Sequence, residues 1–296
     1  MTERIDIVMA TYNGEKFISE QIQSIQSQSY KNWNLLISDD ASKDNTVKII
    51  KEIQNKDERV KLVNFDKQGG IIENFNKALS FSDANYIFLA DQDDIWMENR
   101  LQIMLDNFKD IEQRNSNKSI LMFTDLQLVD SNKSIIANSF YEYNNLNPYT
   151  NMQPNMLIWR STVYGCSTLF NKKLLQQSFP IPNYASMHDQ WLALKASMDD
   201  GLFYFDYISL KYRQHSNNAV GGAGNNNLVG KLKKSKQNLN SIKINVKKIK
   251  RNLSTNDFYK SYNWLFPYKV ILPNILFGEK KIQTFFYFIF LIFLMK

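Results

Sequence analysis

Residues 86–96 read YIFLADQDDIW, an apolar run that ends in three carboxylates within four positions. A continuous apolar run such as Tyr86–Ala90 predicts a strand buried on both faces, as in a parallel sheet. Ligands of such sheets bind outside the carboxyl ends of the strands, so we expect Asp91, Asp93 and Asp94 to face a site. Carboxylates this close repel one another unless a cation neutralises them, and Mg²⁺ and Mn²⁺ prefer carboxylate oxygens. The alternative is a solvated turn whose acids cap the next helix.

Short apolar runs alternate with helical patterns on both sides of this segment. The further predicted strands are Ile5–Ala10, Trp33–Ser38, Val60–Asn64, Ile120–Val129 and Leu202–Leu210. Helical spacing of apolar residues separates them and recurs around Leu174 and over His188–Met198, whereas residues 139–160 look like a long connection. Strands separated by helices are typical of βαβ units. The sequence therefore predicts an α/β fold whose mixed, mainly parallel, Rossmann-like sheet is flanked by helices.

Composition places the chain among globular proteins. It has 296 residues, of which 44% are hydrophobic and 14% aromatic. This suffices for one large α/β domain with an appendage, and it excludes disorder as the default. A single cysteine, Cys166, excludes an internal disulfide and fits a reducing compartment. The start, MTERIDIVMATYN, runs into a strand pattern without an apolar leader, so we expect a cytosolic protein.

Four separated motifs occur in the order typical of one enzyme family. Residues 11–46, TYNGEKFISEQIQSIQSQSYKNWNLLISDDASKDNT, are followed by Gly69-Gly70 and then by YIFLADQDDIW. This pattern resembles the family 2 glycosyltransferases of the GT-A fold, and the resemblance covers residues 1–222. Within that family it is closer to bacterial rhamnosyltransferases of cell-wall and capsular polysaccharide synthesis. That subgroup shares the strings YNG, DQDD-I-W, HD-x-W and YRQH-x-N.

The resemblance implies a set of residues that bind the nucleotide sugar. These are Thr11, Tyr12, Asn13, Asp39, Asp40, Asn74, Asn76, Asp91, Gln92 and Arg213. Asp40 is expected to accept a hydrogen bond from the pyrimidine N3–H, while Asp39 supports the turn. Asn74 and Asn76 are expected to lie against the ribose and diphosphate. Arg213 is expected to hold the diphosphate as negative charge builds on it.

The resemblance also implies a metal and a catalytic base. Asp91 and Asp93 match the D-x-D pair, with Asp93 as the direct ligand of Mg²⁺ or Mn²⁺ and His215 as a further metal or diphosphate ligand. Asp189 matches the base that removes the proton of the acceptor hydroxyl. Simpler interpretations stay open, since Asp189 could cap its helix and His215 could be an ordinary surface or core histidine. Near relatives often have an aromatic residue in place of Gln190, a difference that affects the acceptor side.

The activity that the resemblance implies is an inverting, metal-dependent transfer of L-rhamnose from dTDP-rhamnose to a lipid-linked saccharide. A UDP-hexose transferase of the same fold is one alternative, and a degenerate protein that only binds a nucleotide sugar or a partner enzyme is another. Intact Asp91, Asp93 and Asp189 favour an enzyme. A nucleotidyltransferase is not supported, because no Gly-rich, basic triphosphate loop follows the first strand. The sequence is compatible with a homodimer.

Charge is distributed unevenly along the chain, although the total is only +7. Residues 1–206 hold 20 Lys and Arg against 27 Asp and Glu, a net charge of −7. Residues 207–296 hold 16 Lys and Arg against 2 Asp and Glu, a net charge of +14. A difference this large predicts that the two parts face different partners.

The basic C-terminal part has two segments with membrane-binding character. Within residues 228–253 one helical stripe is apolar and most basic residues lie off it; the stripe is Leu239, Ile242, Val246, Ile249 and Leu253. Residues 285–296, FFYFIFLIFLMK, are apolar but shorter than the roughly 20 residues that a spanning helix needs. Together they predict attachment to an anionic membrane, or else helices packed on the catalytic domain. No base-reading motif accompanies the lysines, so nucleic acid is not an expected partner.

These observations divide the chain into a catalytic domain and an extension. The GT-A domain is expected over residues 1–222, and a helical, basic and apolar membrane-associating region over residues 223–296. We therefore expect a cytoplasmic protein that binds peripherally to the inner face of the cell membrane.

Overall fold

The computed structural model describes residues 3–150 and 152–215, together with short pieces of the chain beyond them. Those pieces are residues 244, 246–249, 251, 267–272, 285, 287–289 and 291–292. The predicted boundary at residue 222 and the linker around it lie outside the described residues, as do residues 228–243 of the predicted basic helix.

Four parallel strands and three helices form the first half of the chain. The strands are β1 (Ile5–Thr11), β2 (Trp33–Asp39), β3 (Val60–Asn64) and β4 (Tyr86–Ala90), and the helices are α1 (Ile18–Gln26), α2 (Thr46–Gln54) and α3 (Ile71–Leu79). They lie in the order β3-β2-β1-β4 in the sheet. The register aligns Thr11 with Asp39 and Met9 with Ala90. The carboxyl ends of β1, β2 and β4 therefore meet at one edge of the sheet.

The second half continues the sheet with strands of both directions. Its elements are β5 (Ile95–Trp96), α4 (Arg100–Arg114), β6 (Leu121–Asp130), β7 (Ile135–Ala137), α5 (Phe140–Tyr143), α6 (Pro154–Leu157), β8 (Thr168–Asn171), α7 (Lys172–Ser178), α8 (His188–Met198) and β9 (Leu202–Gln214). The order continues as β4-β8-β6-β9-β5, and β7 pairs with β6. The α/β class and the mixed sheet are confirmed. The stretch expected to be a long connection contains two one-turn helices, α5 and α6.

The core lies between the sheet and the helices that cover it. All five residues of β4 are buried, as the continuous apolar run predicted. Ile18, Ile22 and Ile25 on one side of α1 are fully buried, because residues three and four apart share a helix face. Each such side chain contributes about 1.5–3 kcal/mol relative to an exposed one. This core fixes the strand ends that form the site.

Several of the described C-terminal positions pack on the rest of the protein. Residues 244, 246–249 and 251 are helical, and Val246 and Ile249 of the predicted stripe are fully buried in the core. Leu291, from the apolar end of the chain, is also fully buried. These contacts agree with the packed-helix alternative. Among the residues that the structure describes, no helix is both long and apolar enough to cross a membrane.

Candidate functional site

A cavity of about 1290 Å³ opens where β1, β2 and β4 end. Eight of the predicted site residues line it: Thr11, Tyr12, Asp40, Asn74, Asp91, Gln92, Asp93 and Asp189. The predicted residues that do not line it are Asn13, Asp39, Asn76, Arg213 and His215. The sequence motifs therefore converge on one place, but several of their side chains support the site from outside the cavity.

The turn after β2 is held by a buried carboxylate. Asp39 accepts hydrogen bonds from Thr11 Oγ1 at 2.7 Å, from Ser42 Oγ at 2.6 Å and from Ser42 N at 2.7 Å. Asn13, which has a φ of 48°, donates its N–H to Ser42 Oγ and accepts from Lys43 N at 2.8 Å. Asp39 and Asn13 thus fix the backbone between the two strands. Asp39 supports the turn as expected, and Asn13 does the same instead of facing the cavity.

Asp40 holds the Gly-Gly turn in place. Its carboxylate accepts from the backbone N–H groups of Gln68, Gly69 at 2.9 Å and Gly70 at 3.0 Å. Burial raises the pKa of Asp40, but these hydrogen bonds and the charge of Lys67 outweigh it, so the pKa is lowered and the group stays ionised. Gly69 has a φ of 92° and Gly70 one of 148°, which favour glycine at both positions. A carboxylate has about four acceptor positions, so one remains for a ligand.

Two amide side chains hold the end of β1. Gln92 Oε1 accepts from Tyr12 N at 2.9 Å, and Gln92 Nε2 donates to Tyr12 O at 3.1 Å. A Cβ at Gly14 would lie 2.4 Å from Gln92 Oε1, so only glycine allows this approach. Asn74 Nδ2 donates to Thr11 O at 3.1 Å, while its buried Oδ1 has no hydrogen-bond partner among the residues that the structure describes.

Asn76 does not contact the cavity. Its Nδ2 donates to Ile181 O at 2.7 Å and its Oδ1 accepts from Ile181 N at 2.9 Å. Both ends of the amide are therefore occupied by backbone. The structure corrects the expected contact of Asn76 with ribose and diphosphate: this residue ties α3 to the segment before α8.

Arg213 is buried beneath the site instead of facing the diphosphate. Its side chain is 2% exposed and donates to Asp93 O at 2.8 Å, to Ser131 O at 3.1 Å and to the carboxylate of Glu20. Its guanidinium also lies 4.8 Å from the centre of the Phe17 ring. The assignment of Arg213 as a diphosphate ligand is therefore wrong for this structure. The residue instead fixes the backbone of the D-x-D segment.

Asp91 and Asp93 form the acidic floor of the cavity. Asp93 Oδ2 lies 2.8 Å from Nε2 of His215, whose ring stacks on Phe17. Burial, together with the charges of Asp93 and Asp189, raises the pKa of Asp91 to about 7. Both causes disfavour the charged form of Asp91, and a cation bound beside it would oppose them. The carboxylates and the imidazole are donors that suit Mg²⁺ or Mn²⁺, so the site fits a divalent metal.

A second grouping lies just behind this pair. Ligand atoms of Asp91, Asp94 and Cys166 all fall within 4.8 Å of one another. Asp94 is fully buried and accepts from Arg213 N at 3.3 Å, and burial raises its pKa well above the usual range. Burial likewise raises the pKa of the Cys166 thiol. Asp94 is fully buried and does not line the cavity, whereas Asp91 and Asp93 do, so a metal that contacts a ligand in the cavity would be held by Asp91 and Asp93.

Asp189 faces the cavity from the first turn of α8. Because α8 begins at His188, Asp189 is not the cap residue of the helix. Its Oδ2 accepts from Gly165 N at 2.9 Å and its Oδ1 from Gln190 N at 2.6 Å, which leaves acceptor positions for a ligand proton. His188 is buried and stacks on Phe75 at 3.8 Å, and burial lowers its pKa, so the imidazole is neutral. The oriented carboxylate can serve as a base.

Several side chains that line the cavity were not predicted from the sequence. Lys43, Lys67 and Arg160 supply positive charge that a diphosphate can use, in place of the expected Arg213. The missed aromatic residues are Trp159, Tyr164, Tyr212 and Tyr287. Lys43 and Lys67 lie next to the predicted turns, so their positions in the sequence could have identified them as site residues. Arg160 could not be identified in this way, because no motif surrounds it.

Comparison with protein families and known proteins identifies the enzyme class. The model of Glycosyl transferase family 2 matches residues 6–179. The dTDP-rhamnosyl transferase RfbG of Shigella flexneri is 31% identical over 229 residues, which are 72% of this chain and 73% of that protein. An Escherichia coli protein, UDP-Glc:alpha-D-GlcNAc-diphosphoundecaprenol beta-1,3-glucosyltransferase WfgD, is 28% identical over 214 residues, covering 71% and 76%.

Solved structures share the fold at low sequence identity. S. aureus TarS 1-349 in complex with UDP-GlcNAc matches with a TM-score of 0.56 and 15% identity, covering 97% of this chain and 90% of that one. The mannosyltransferase PcManGT from Pyrobaculum calidifontis, in complex with GDP-Man and Mn²⁺, matches with a TM-score of 0.60 and 13% identity, covering 99% and 86%. The expected GT-A fold is confirmed, and the chain belongs to glycosyl transferase family 2 as a nucleotide-sugar glycosyltransferase.

Proposed function

We propose that the protein is an inverting, metal-dependent transferase that moves a sugar from a nucleotide donor to a lipid-linked saccharide. The observation that supports this most directly is the convergence of Asp91, Asp93 and Asp189 on one cavity. Two of these carboxylates form an acidic floor, and the third lies on a separate helix with acceptor positions open. This arrangement suits a metal on one side of the donor and a base on the other.

Each part of the cavity has a role in this reaction. The pyrimidine base of the donor binds at Thr11, Tyr12 and Asp40. The diphosphate lies beside Lys43 and Lys67. A divalent metal at Asp91 and Asp93, when bound, supplies positive charge that stabilises the leaving diphosphate. Asp189 accepts the proton of the acceptor hydroxyl while the hydroxyl oxygen attacks C1 of the sugar, on the face opposite the leaving diphosphate. The result is inversion at C1.

We propose dTDP-rhamnose as the donor and a saccharide on a lipid diphosphate as the acceptor. The name of RfbG describes a dTDP-rhamnosyl transferase, and the name of WfgD describes a diphosphoundecaprenol acceptor. The name of WfgD also describes a UDP-Glc donor, which favours a UDP-hexose transferase as the second candidate. Capsular or cell-wall polysaccharide synthesis and a homodimer remain predictions.

A donor screen separates these candidates. Release of nucleoside diphosphate should be measured with dTDP-rhamnose, UDP-glucose, UDP-GlcNAc and GDP-mannose, each with a lipid-linked acceptor and with Mg²⁺ or Mn²⁺. We expect acceptor-dependent release with dTDP-rhamnose. Preference for UDP-glucose supports the second candidate, and absence of release with every donor contradicts a transferase that uses these substrates.

We also propose that the protein binds the inner face of the cell membrane through residues 228–296. The net charge of +14 beyond residue 206 supports this, because each Lys or Arg near an anionic surface contributes about 1 kcal/mol. Replacing Lys231, Lys233, Lys234 and Lys236 by glutamine should therefore reduce sedimentation with anionic liposomes. Binding of the unaltered protein should weaken at high salt.

A charge-matched control shows whether liposome binding depends on the basic segment or on the total charge of the protein. Glutamine at four exposed lysines of the catalytic domain removes the same charge; these are Lys31, Lys48, Lys56 and Lys61. We expect this control to bind liposomes about as well as the unaltered protein, because salt screens charges that lie away from the membrane surface. Equal binding by both quadruple variants and the unaltered protein contradicts attachment through the basic segment. Lysine substitution is preferable to truncation, because removal of Val246 and Ile249 would expose the core.

A further inference from the structure

A lysine of the C-terminal extension contacts the segment that leads into α8. Lys248 Nζ donates to Ala185 O at 2.8 Å and to Ser186 O at 3.4 Å. Ser186 and the next residue, Met187, line the cavity. Lys248 therefore makes a contact within the protein, although it belongs to the basic segment that was predicted to bind a membrane.

The connection between α7 and α8 is tied to other elements at both of its ends. Asn76 holds Ile181 from α3, through both of its amide atoms. Lys248 holds the other end, next to the first residue of α8. Between these two contacts, the hydrogen bond from Ala185 N to Pro182 O lies within the connection itself. Loss of the Lys248 contact would remove one of the restraints that hold this end relative to the cavity.

Aromatic packing adds a second link between the extension and α8. The guanidinium of Arg251 lies 4.8 Å from the centre of the Tyr184 ring. The Tyr184 ring in turn packs edge-on against Trp191 of α8, with 6.0 Å between their centres. Val246 and Ile249, on the buried side of the same helix, fix its position on the core. The extension is therefore linked to α8 through the connection before it, by the contact of Arg251 with Tyr184 and by those of Lys248 with Ala185 and Ser186.

The rate that a catalytic base supports depends strongly on the position of its carboxylate. Asp189 is the second residue of α8, three residues beyond Ser186, so displacement of the connection displaces its carboxylate. A misplacement of about 1 Å can lower a rate by about 10²-fold. Burial lowers the pKa of Lys248, and the charge of Glu73 opposes this shift. The ammonium is partly shielded from water, which strengthens its hydrogen bonds to the two carbonyl oxygens.

We infer that Lys248 is a positioning residue, through which the C-terminal extension sets the place of Asp189 in the cavity. This inference rests on the proposed role of Asp189 as the base. It assigns the extension a part in the catalytic unit, apart from any contact with a membrane.

Substitution of Lys248 by methionine tests the inference, since methionine keeps the apolar stem and removes the donor. We expect kcat of the full-length protein to fall about 10- to 100-fold, with unchanged donor affinity and melting temperature. Lys248→Arg should restore most of the rate because it keeps a charged donor. The matched control is Lys247→Met at an exposed position of the same helix, which should change kcat by less than about threefold.

A double-mutant cycle separates this inference from the proposed function. Lys248→Met should lower the rate in the unaltered background but add little to Asp189→Asn, because both changes affect one function. Equal losses in both backgrounds, or no loss from Lys248→Met, overturn the inference. Full activity of Asp189→Asn instead overturns the role of Asp189.

Hydrogen exchange gives a readout that needs no activity. Amides of residues 186–190 should exchange faster in Lys248→Met than in Lys247→Met. Unchanged exchange there also overturns the inference.

Discussion

Replacing Asp93 by asparagine is expected to lower turnover by at least about 10²-fold while the fold survives. The side chain keeps its shape, so the contact with His215 can persist, but the negative charge that holds a divalent cation is lost. Diphosphate binding should weaken in parallel, because the metal joins the protein to the diphosphate. Steady-state rates across a Mg²⁺ and Mn²⁺ titration, together with calorimetric binding of the nucleoside diphosphate, measure both effects.

Asp94→Asn is the matched control for this substitution. Asp94 is fully buried, and burial and the charges of Asp93 and Asp91 raise its pKa, which favours the neutral form that asparagine imitates. We expect this variant to retain metal-dependent activity. If Asp94→Asn loses the metal and Asp93→Asn keeps it, the metal binds instead in the grouping of Asp91, Asp94 and Cys166. If Asp93→Asn is fully active in the presence of a chelator, the metal has no role.

The strands that carry the site were predictable because each is long, apolar and followed by polar residues. Tyr86–Ala90 is buried at all five positions, so its pattern alone indicates a central strand. Ile95–Trp96 and Thr168–Asn171 were not predicted, since strands of two and four residues show no measurable period. Their pairing depends on partners far along the chain, which hydrophobic periodicity does not reveal.

Prediction of individual site residues was limited by side-chain direction. Asp91, Asp93 and Asp189 reach the cavity because they follow a strand end or lie in the first turn of a helix at its rim. Arg213 was assigned to the diphosphate from its charge, but the fold buries its guanidinium against Glu20 and two carbonyl groups. Asn76 was misplaced in the same way. Residue type and motif order predict the location of a site better than the direction of each side chain.

Asp189→Asn is expected to lower the rate of transfer about 10²- to 10⁴-fold, which is the usual contribution of a general base. The carboxylate is held by Gly165 N and Gln190 N, so its orientation does not depend on substrate. It lies on α8, whereas Asp40 follows β2 and Asp93 follows β4. Donor affinity should therefore change little, and this combination of a lower kcat with an unchanged donor Kd distinguishes a base from a donor ligand.

Asp200→Asn is a suitable control, because Asp200 is exposed beyond the other end of α8 and its φ of 50° is one that asparagine tolerates. It removes the same charge without reaching the cavity, so kcat should stay within about threefold of the unaltered value. Asparagine at 189 loses one of the two backbone hydrogen bonds, because its amide nitrogen cannot accept. Melting temperatures must therefore accompany the kinetics. A donor Kd that rises as much as kcat falls would make Asp189 a donor-site residue, and the base would have to be sought elsewhere in the cavity.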